Sequence, residues 1–353
     1  SSDLMLFPPH LNLEQCSSET TARYKAGLAK RLTATHDATL IDLTGGFGVD
    51  FAFMARHFTK ATYVERNPML CDLARHNFPL LGLPHAEVVC ADANDYSQNT
   101  ESFFRHPVFY LDPARRDEQG HKTYAISDCT PDILSLAPQL LQHADYVVVK
   151  LSPMLDWHKA ADDIQTVANN AVREVHILSV KNECKELLLV LSIRHDTPLT
   201  LHCINDEQQF VVSEATHKRQ PATSIPQIPN HIHQIFLPNA SVMKAGVFNE
   251  LVAHFNLQQL APSSHLFLPT DDTPSDITFP GKIFNVVTTT SMNRRDMKKA
   301  LQGITRANIS VRNFPLTAAE LRQRLHIADG GPYHIFGTTL ADNTHILLVC
   351  LPH

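Results

Sequence analysis

The sequence lacks the signatures of several protein classes. It has neither a C-x-x-C pair nor an H-E-x-x-H motif, although it contains 7 cysteines and 21 histidines in 353 residues. The odd number and wide spacing of the cysteines argue against a disulfide framework and against a Cys-rich zinc site, and they favour a reducing cytoplasm. No apolar run approaches the ~18 residues of a membrane span, and the first residues do not resemble a signal peptide. We therefore expect a cytoplasmic protein without a transmembrane helix.

Composition and charge limit the remaining possibilities. Hydrophobic residues make up 43% and charged residues 19%, which is enough apolar material for folded cores. At about 150 residues per domain, the length predicts two or three domains. The net charge of -6 gives no whole-chain reason to expect nucleic acid. His231 and His233 form an isolated His-x-His that an edge strand also explains, so we predict no metal. Nothing indicates an oligomer, and a monomer is the simpler expectation.

Strand-like and helix-like segments alternate over the first 200 residues. The strand-like runs are short, rich in β-branched or aromatic residues, and bounded by turn residues; they lie at 39–43, 61–64, 86–90, 108–111 and 146–149. This alternation predicts an α/β fold with a Rossmann-like, doubly wound sheet. The runs at 175–180 and 187–193 are too close together for an intervening helix, so we expect an antiparallel pair at one edge of the sheet.

Changes of pattern divide the chain into five predicted ranges. Prolines 221, 226 and 229 mark a linker, and shorter strands and helices follow it as small α+β domains. The ranges are a lead-in helix region (1–36), the sheet domain (37–200), a β extension and linker (201–236), a small domain (237–280) and a basic C-terminal domain (281–353).

A glycine-rich turn is the strongest motif. It follows a predicted strand that ends in Asp42, and it enters a helix. The turn consists of Gly45, Gly46, Phe47 and Gly48. Glycine allows close backbone approach to a ligand, and a helix N-terminus supplies free N–H groups. Because Phe51 replaces the third glycine of G-x-G-x-x-G, the turn favours a nucleoside ligand other than a dinucleotide.

Acidic residues follow the next two strands. Glu65 ends the second strand, 19 residues after Gly46, where a carboxylate can accept both hydroxyls of a ribose. Asp92 and Ala93 follow the third strand, next to the expected position of an adenine edge. Each acid alone is explained as a solvated strand end. Together with Asp42, they favour a nucleoside site.

The fourth and fifth strands end in further polar residues. Asp112 and Pro113 follow the fourth strand at the expected switch point, and Arg115 and Arg116 come next. Asp112 is placed to accept a hydrogen bond from a substrate amine, and the two arginines to bind phosphate. The alternative is a Pro-terminated strand with two surface arginines. Lys150 ends the fifth strand, where a plain strand end explains it equally well.

The C-terminal range carries an excess of basic residues. Its nine Lys or Arg and four Asp or Glu give 281–353 a charge of +5, which leaves -11 for the rest of the chain. The predicted helix at 294–304 has a core-facing stripe and, beside it, a basic face that includes Arg295, Lys298 and Lys299. Arg312 follows, and Thr317 with Glu320 predicts a capping box.

In order, these motifs resemble those of class I S-adenosylmethionine-dependent methyltransferases. The runs 112–116, 150–153 and 312–315 resemble, more narrowly, a bacterial group with a ferredoxin-like domain and a THUMP-like C-terminal domain. The resemblance implies that S-adenosylmethionine is the cofactor and that Asp112 and Pro113 are catalytic. It further implies that the segment containing Gln15, Ser17 and Lys25 closes over the methionine end of the cofactor. Similarity to THUMP domains implies RNA as a partner, bound by the arginines and lysines named above.

One departure from related enzymes leaves the substrate open. Amino-directed nucleic-acid methyltransferases show Asp or Asn, Pro, Pro and an aromatic residue, whereas Ala114 and Arg115 occupy the last two places here. The aromatic residue that would stack on a flipped base is absent. We predict a methyltransferase acting on tRNA or rRNA. The alternatives are a methyltransferase acting on a small molecule or protein, a non-catalytic cofactor- or RNA-binding module, and, more distantly, a nicotinamide oxidoreductase.

Overall fold

The structure is a computed structural model that describes residues 5–8, 16–33, 37–98, 106–115, 125–194, 197–213 and 231–353, without the side chain of Arg115. The chain divides into two compact units, Ser1–Asp206 and Glu207–His353. In the described ranges, no helix is long and apolar enough to cross a membrane. The five ranges predicted above stay predictions.

The first unit alternates strands and helices. Its helices are α1 (Glu19–Leu32), α2 (Val49–Met54), α3 (Pro68–Leu80), α4 (Ala93–Gln98), α5 (Ile133–Leu141) and α6 (Trp157–Val167). Its strands are β1 (Thr39–Asp42), β2 (Lys60–Glu65), β3 (Ala86–Cys90), β4 (Pro107–Leu111), β5 (Ala114–Arg115), β6 (Cys129–Thr130), β7 (Tyr146–Leu151), β8 (Val172–Val180), β9 (Glu183–Leu191) and β10 (Thr200–Asn205). The predicted helix at 49–57 forms as α2 followed by a 3-10 turn, Ala55–His57.

Eight strands of this unit form one sheet in the order β10-β8-β9-β7-β4-β1-β2-β3. Strands β3, β2, β1, β4 and β7 are parallel to one another. Every residue of β1 and β4 is buried, which explains why their sequences show apolar runs instead of an alternating pattern. Strands β2 and β3 lie on one side of β1, and β4 and β7 lie on the other. The strand order therefore reverses at β1, and the predicted doubly wound sheet is confirmed.

The predicted antiparallel pair is confirmed, but it does not form the edge of the sheet. β9 is antiparallel to both β7 and β8. β10 then pairs with β8 in parallel and lies beyond it. The sequence of β10 indicates a strand but not its partner, because strand pairing over such a connection depends on tertiary contacts.

The second unit has its own set of strands and helices and its own sheet. Its elements are β11 (Gln208–Ser213), β12 (Gln234–Pro238), α7 (Ala240–Ala245), α8 (Phe248–Phe255), β13 (Leu257–Gln259), β14 (Phe267–Pro269), β15 (Gly281–Ser291), α9 (Arg294–Ala300), β16 (Arg306–Arg312), α10 (Ala318–Leu325), β17 (Ala328–Thr339) and β18 (His345–Pro352). Seven of its strands follow the order β13-β14-β12-β15-β18-β17-β16. Leu347 and Val349 of β18 face the core under α9 and α10, whereas Leu348 and Cys350 face a second core.

The helices of the second unit differ from prediction in length. The predicted helix over 241–255 is divided into α7 and α8, because Gly246 adopts a left-handed conformation with φ 73° that ends α7. The helix predicted over 294–304 ends at Ala300. The capping box of α10 is confirmed: the side chain of Thr317 accepts from the backbone of Glu320, whose carboxylate accepts from the Thr317 backbone.

A histidine pair, buried at His176 and partly buried at His202, connects β8 and β10. The rings of His176 and His202 stack with centroids 4.3 Å apart. His176 Nε2 lies 2.8 Å from the carboxylate of Glu174, and Nδ1 lies 2.8 Å from the Tyr24 hydroxyl. Arg31 pairs with both carboxylate oxygens of Glu174. Burial and the neighbouring ring lower the pKa of His202 to about 4, and burial lowers the pKa of His176.

This pair predicts acid sensitivity. Both rings stay neutral in the folded protein at pH values where an unfolded chain binds protons. The contribution of this pair to the free energy of unfolding should therefore be largest above pH ~6.5. It should fall as the pH decreases from about 6.5, by up to about 1.4 kcal/mol per pH unit for each ring, and the contribution of His202 should be lost near pH 4. Urea unfolding at a series of pH values measures the slope. His202→Asn removes one titrating group and should flatten it; an unchanged slope would contradict the assignment.

Candidate active site

The carboxyl ends of the parallel strands bring the predicted acids to one edge of the sheet. Asp42 ends β1, Glu65 ends β2, and Asp92 follows β3. Asp112 comes directly after β4, and Lys150 lies near the end of β7. In doubly wound sheets, ligands bind at this edge, where the strand order reverses.

The glycine turn between β1 and α2 is hydrogen-bonded to two residues of β2, Tyr63 and Glu65. The Gly46 amide donates to Glu65 Oε2 at 2.9 Å, and the Gly46 carbonyl accepts from the Tyr63 hydroxyl. A Cβ on Gly45 would lie 2.2 Å from the Tyr63 ring, so this close packing requires glycine. Gly46 and Gly48 have φ values of 54° and 80°, in the left-handed region. The turn therefore needs glycine at each of its three glycine positions.

Two cavities lie along this edge and share Thr44, Gly46 and Asp112. The smaller, of about 240 Å³, is lined by Glu65, Asp92 and other residues. The larger has a volume of about 370 Å³. Its lining includes Cys16, Ser17, Asp42, Gly45, Phe47, Gly48, Asp50, Tyr110 and Lys150. The shared residues connect the two cavities into one site of extended shape.

The acids of the smaller cavity are held by backbone N–H groups. Glu65 Oε1 accepts from the Asn67 amide at 2.8 Å, in addition to its bond from Gly46. Asp92 Oδ1 accepts from the amide of Asn94 at 2.8 Å. Ala93 is buried at the start of α4 and also lines this cavity. Both carboxylates keep acceptor capacity for hydroxyl or amine donors of a ligand.

A buried ionic cluster lies beside the larger cavity. Lys25 of α1, which is 1% exposed, places its Nζ 2.9 Å from Asp50 Oδ2 and 2.6 Å from Glu186 Oε2 of β9. It also donates to Ser17 Oγ at 2.7 Å. The Tyr110 hydroxyl donates to Asp50 Oδ2 at 2.7 Å. A buried ammonium is costly unless it is paired, and here three oxygens satisfy it.

Lys150 joins this cluster to Asp112. Its Nζ lies 2.7 Å from Asp112 Oδ2, 3.2 Å from Ser17 Oγ and 3.7 Å from Asp50 Oδ2. Lys150 is 12% exposed, whereas Asp112 is 39% exposed and faces both cavities. The Asp112 amide donates to Thr44 Oγ1 at 2.6 Å, which fixes the backbone of this residue to the glycine turn.

Burial and the neighbouring charges shift the acidity of the residues at this site. Burial raises the pKa of Asp42 to about 8, although the Thr44 amide opposes the shift. Burial raises the pKa of Asp112 against the opposing charge of Lys150. Burial alone would raise the pKa of Asp50, but the ammonium groups of Lys25 and Lys150 hold it below its usual value. The surrounding carboxylates, Asp112 first, outweigh burial and raise the pKa of Lys150. Lys150 is thus a charged partner of Asp112.

The predicted site residues do not all reach the cavities. Lys25 lies among the buried charges and is absent from both cavity linings. Pro113 is buried next to Asp112. Gln15, Arg116 and the side chain of Arg115 lie outside the described residues. Lys150, which was predicted as a substrate-binding residue, is engaged by Asp112.

Several site residues were missed in the sequence. Asp50 and Glu186 complete the ionic cluster, Tyr110 binds Asp50, and Thr44 binds Asp112. A charged residue directly before the apolar run of β9 was the only signal for Glu186, and Asp50 was part of the glycine motif without an assigned role. Their partners are up to 169 residues away in sequence, so spacing does not reveal the cluster.

The predicted basic residues of the second unit fall into two groups. Arg295, Lys298 and Lys299 of α9 are exposed. Arg312 is partly buried, its Nε is buried without a hydrogen-bond partner in the described ranges, and burial lowers its pKa. Of these four residues, the three of α9 are surface cations and Arg312 is not.

Comparison with known proteins identifies the class. A crystal structure from Porphyromonas gingivalis W83, assigned as a methyltransferase, shares 32% identity with this chain; the match covers 99% of this chain and 84% of that one, with a TM-score of 0.84. Uncharacterized S-adenosylmethionine-dependent methyltransferases from two strains of Mycobacterium tuberculosis are each 25% identical, over 96% of this chain and 87% of theirs. Family models for a ferredoxin-like domain and a THUMP domain-like segment match residues 235–275 and 281–352.

The chain thus belongs to the S-adenosylmethionine-dependent methyltransferases of the class I fold. It is a member of the group that carries ferredoxin-like and THUMP-like domains at its C-terminal end. The resemblance seen in the sequence is confirmed for fold, enzyme class and cofactor.

The site fits this cofactor. Asp50 Oδ1 is buried without a hydrogen-bond partner among the described residues, and Asp50 lines the larger cavity. A buried acceptor of this kind suits a cationic donor such as the methionine ammonium. The acids of the smaller cavity suit ribose hydroxyls and an amino group.

Gly46→Val should abolish binding of S-adenosylhomocysteine. A β-branched residue is strained at φ 54°, and its side chain would enter the cavity space that the ligand needs. Calorimetry measures the affinity. Gly27→Ala is the matched control, since Gly27 lies in α1 and a Cβ there meets no atom within 4 Å; its affinity should be unchanged. Equal affinities for both variants would count strongly against the site.

Proposed function

We propose that this protein transfers a methyl group from S-adenosylmethionine to RNA. The transfer centre rests on one observation: Asp112, held by Lys150, stands where the two cavities meet. The RNA substrate is supported by the THUMP-like match over 281–352 and by the exposed basic face of α9. The absence of an acidic ion-pair partner for that face, within the described residues, distinguishes it from an ordinary surface helix of mixed charge.

The cofactor roles follow the cavity linings. We assign the ribose and adenine to Glu65, Asp92 and Ala93 in the smaller cavity. Asp42, Ser17 and the glycine turn from Gly45 to Gly48 would hold the methionine part in the larger cavity, with Asp50 as acceptor of its ammonium. Lys25 acts indirectly, because its contacts with Asp50 and Ser17 position those two residues.

The chemistry requires little from the protein beyond alignment. S-adenosylmethionine supplies a methyl group already activated on a sulfonium. Lys150 occupies Oδ2 of Asp112, and no described residue donates to Oδ1, which is left to accept a hydrogen bond from the acceptor group of the substrate. The carboxylate orients that group and stabilises the positive charge that develops on it. Pro113 fixes the backbone that follows Asp112.

We place this reaction in the cytoplasm, in keeping with the cysteine pattern. All seven cysteines are free thiols in the structure. A small-molecule or protein acceptor is the competing assignment, and RNA binding together with methyl transfer to fractionated RNA, protein and metabolites distinguishes the substrates.

Asp112→Asn should lower turnover by about 100-fold or more, the scale of a positioned polar group. The substitution keeps the shape of the side chain but removes its charge. The affinity for S-adenosylhomocysteine should stay nearly constant. Single-turnover methylation with radiolabelled S-adenosylmethionine measures the effect, and a folded variant with wild-type turnover would remove Asp112 from the mechanism.

Lys150→Met tests how Asp112 is held. The Lys150 charge lowers the pKa of Asp112, so its removal should raise that pKa. The acid limb of the pH–rate profile, where Asp112 loses its proton, should move to higher pH. A uniform loss of activity at every pH would show instead that Lys150 contributes only to packing.

RNA binding should depend steeply on salt. If three or four phosphates contact the basic face, the log–log slope of affinity against salt should be roughly −2 to −3 for single strands. Arg295→Glu with Lys299→Glu should weaken binding to all sequences alike, because phosphate contacts do not read sequence. Cofactor affinity should not change. Fluorescence anisotropy measures both effects, and undetectable RNA binding at low salt would favour the small-molecule assignment.

A further inference from the structure

A large groove lies between α9 and α10 in the second unit. Its volume is about 580 Å³, within the range of roughly 300–1,000 Å³ that is usual for ligand sites. Apolar side chains form much of its wall. They are Met297, Leu301, Ile304, Leu325 and Ile327. We refer to this cavity as the α9–α10 groove.

Cations surround these apolar walls. Arg294 and Lys298 of α9 and Arg324 of α10 line the groove and are exposed. Within the described part of the second unit, none of the three forms an ion pair, and no acidic residue lines the groove. His326, also exposed, lines it beside Arg324. The groove therefore offers an apolar surface and positive charge at the same place.

The four cations of α9 form two pairs, of which one lines the α9–α10 groove and the other does not. Arg294 and Lys298 are four residues apart and face the α9–α10 groove, next to Met297 and Leu301. Arg295 and Lys299 have the same spacing but do not line the groove. The helix thus provides two charge-matched pairs, of which only one lies over apolar surface.

We propose that the α9–α10 groove binds one unpaired nucleotide of the RNA, with its base against Met297, Leu301 and Ile327. Arg294, Lys298 and Arg324 bind the flanking phosphates. This inference rests on the proposed function, since it takes RNA as the substrate, and it defines the form of RNA that this unit prefers.

The combination of groups favours a nucleotide. Surface cations alone would bind any phosphate backbone, including a duplex. An apolar wall contributes only if a base leaves its stack and exposes a flat face to it, with a histidine such as His326 available for stacking. Single-stranded RNA supplies such bases at little cost, whereas a blunt duplex does not. An acidic amphipathic peptide has similar chemistry and is the competing occupant.

The experiment compares a 12-nucleotide single-stranded RNA with the blunt duplex of the same sequence, bound to the full chain. The wild-type protein should prefer the single strand. Arg294→Glu with Lys298→Glu should reduce single-strand affinity by about tenfold or more and abolish the preference. Arg324→Glu, on the other side of the groove, should weaken the preference in the same direction.

Arg295→Glu with Lys299→Glu is the matched control. It makes the same change in charge on the same helix, so it should weaken both RNA forms alike and keep the preference for the single strand. All substituted residues are exposed, and thermal unfolding of each variant verifies that it is folded. A 4-thiouridine in the single strand should crosslink to residues of the groove.

The outcomes separate the inference from the function on which it rests. Equal losses in the two double variants, without a strand preference in the wild type, would overturn the groove assignment while leaving RNA binding intact. Absence of RNA binding in the wild type would remove the RNA substrate itself. Unchanged RNA binding in the groove variants, with loss of binding to an acidic amphipathic peptide, would assign the groove to a protein partner.

Discussion

The buried ammonium of Lys25 is the contact on which the arrangement of the active site depends. It is 1% exposed and pairs with Asp50 of α2 and Glu186 of β9, so it ties three elements of the first unit together. An ammonium at this depth is tolerated only while its partners stay in place. Lys25 binds Asp50 and Ser17. Both of these residues also contact Lys150, which forms an ion pair with Asp112. The position of the proposed catalytic carboxylate is thus set by a charge that lines neither cavity.

The two units use charge in different ways. In the first, the central charges are buried and paired, so they fix geometry and shift acidity. In the second, the cations of α9 are exposed, and among the described residues they have no acidic partners, so they are available to a ligand. This division follows from the contrast between a C-terminal range of +5 and the acidic remainder of the chain. A whole-chain charge of -6 conceals it, which is why net charge alone gave no indication of a nucleic-acid partner.

The sheet and the acidic strand ends were predictable because they depend on local sequence. Buried parallel strands have to be apolar runs, and Glu65, Asp92 and Asp112 interrupt or follow such runs where strands end. The position of β10 was not predictable, because its pattern does not specify a partner. The break at Gly246 was missed because an isolated glycine also occurs within helices. The role of Lys150 as a partner of Asp112 was not predictable, because the sequence left substrate binding and a plain strand end equally open for this cation.

The bonds from backbone amides to Glu65 and Asp92 have a consequence for affinity. Both carboxylates are oriented by backbone amides of the protein itself, those of Gly46, Asn67 and Asn94. A ligand that binds them therefore loses little free energy in immobilising flexible side chains, a cost of roughly 0.5–1.5 kcal/mol for each side chain that has to be ordered. Because Gly46 is part of both the turn and the Glu65 contact, the backbone that approaches the ligand and the acid that binds it are preorganised as one unit.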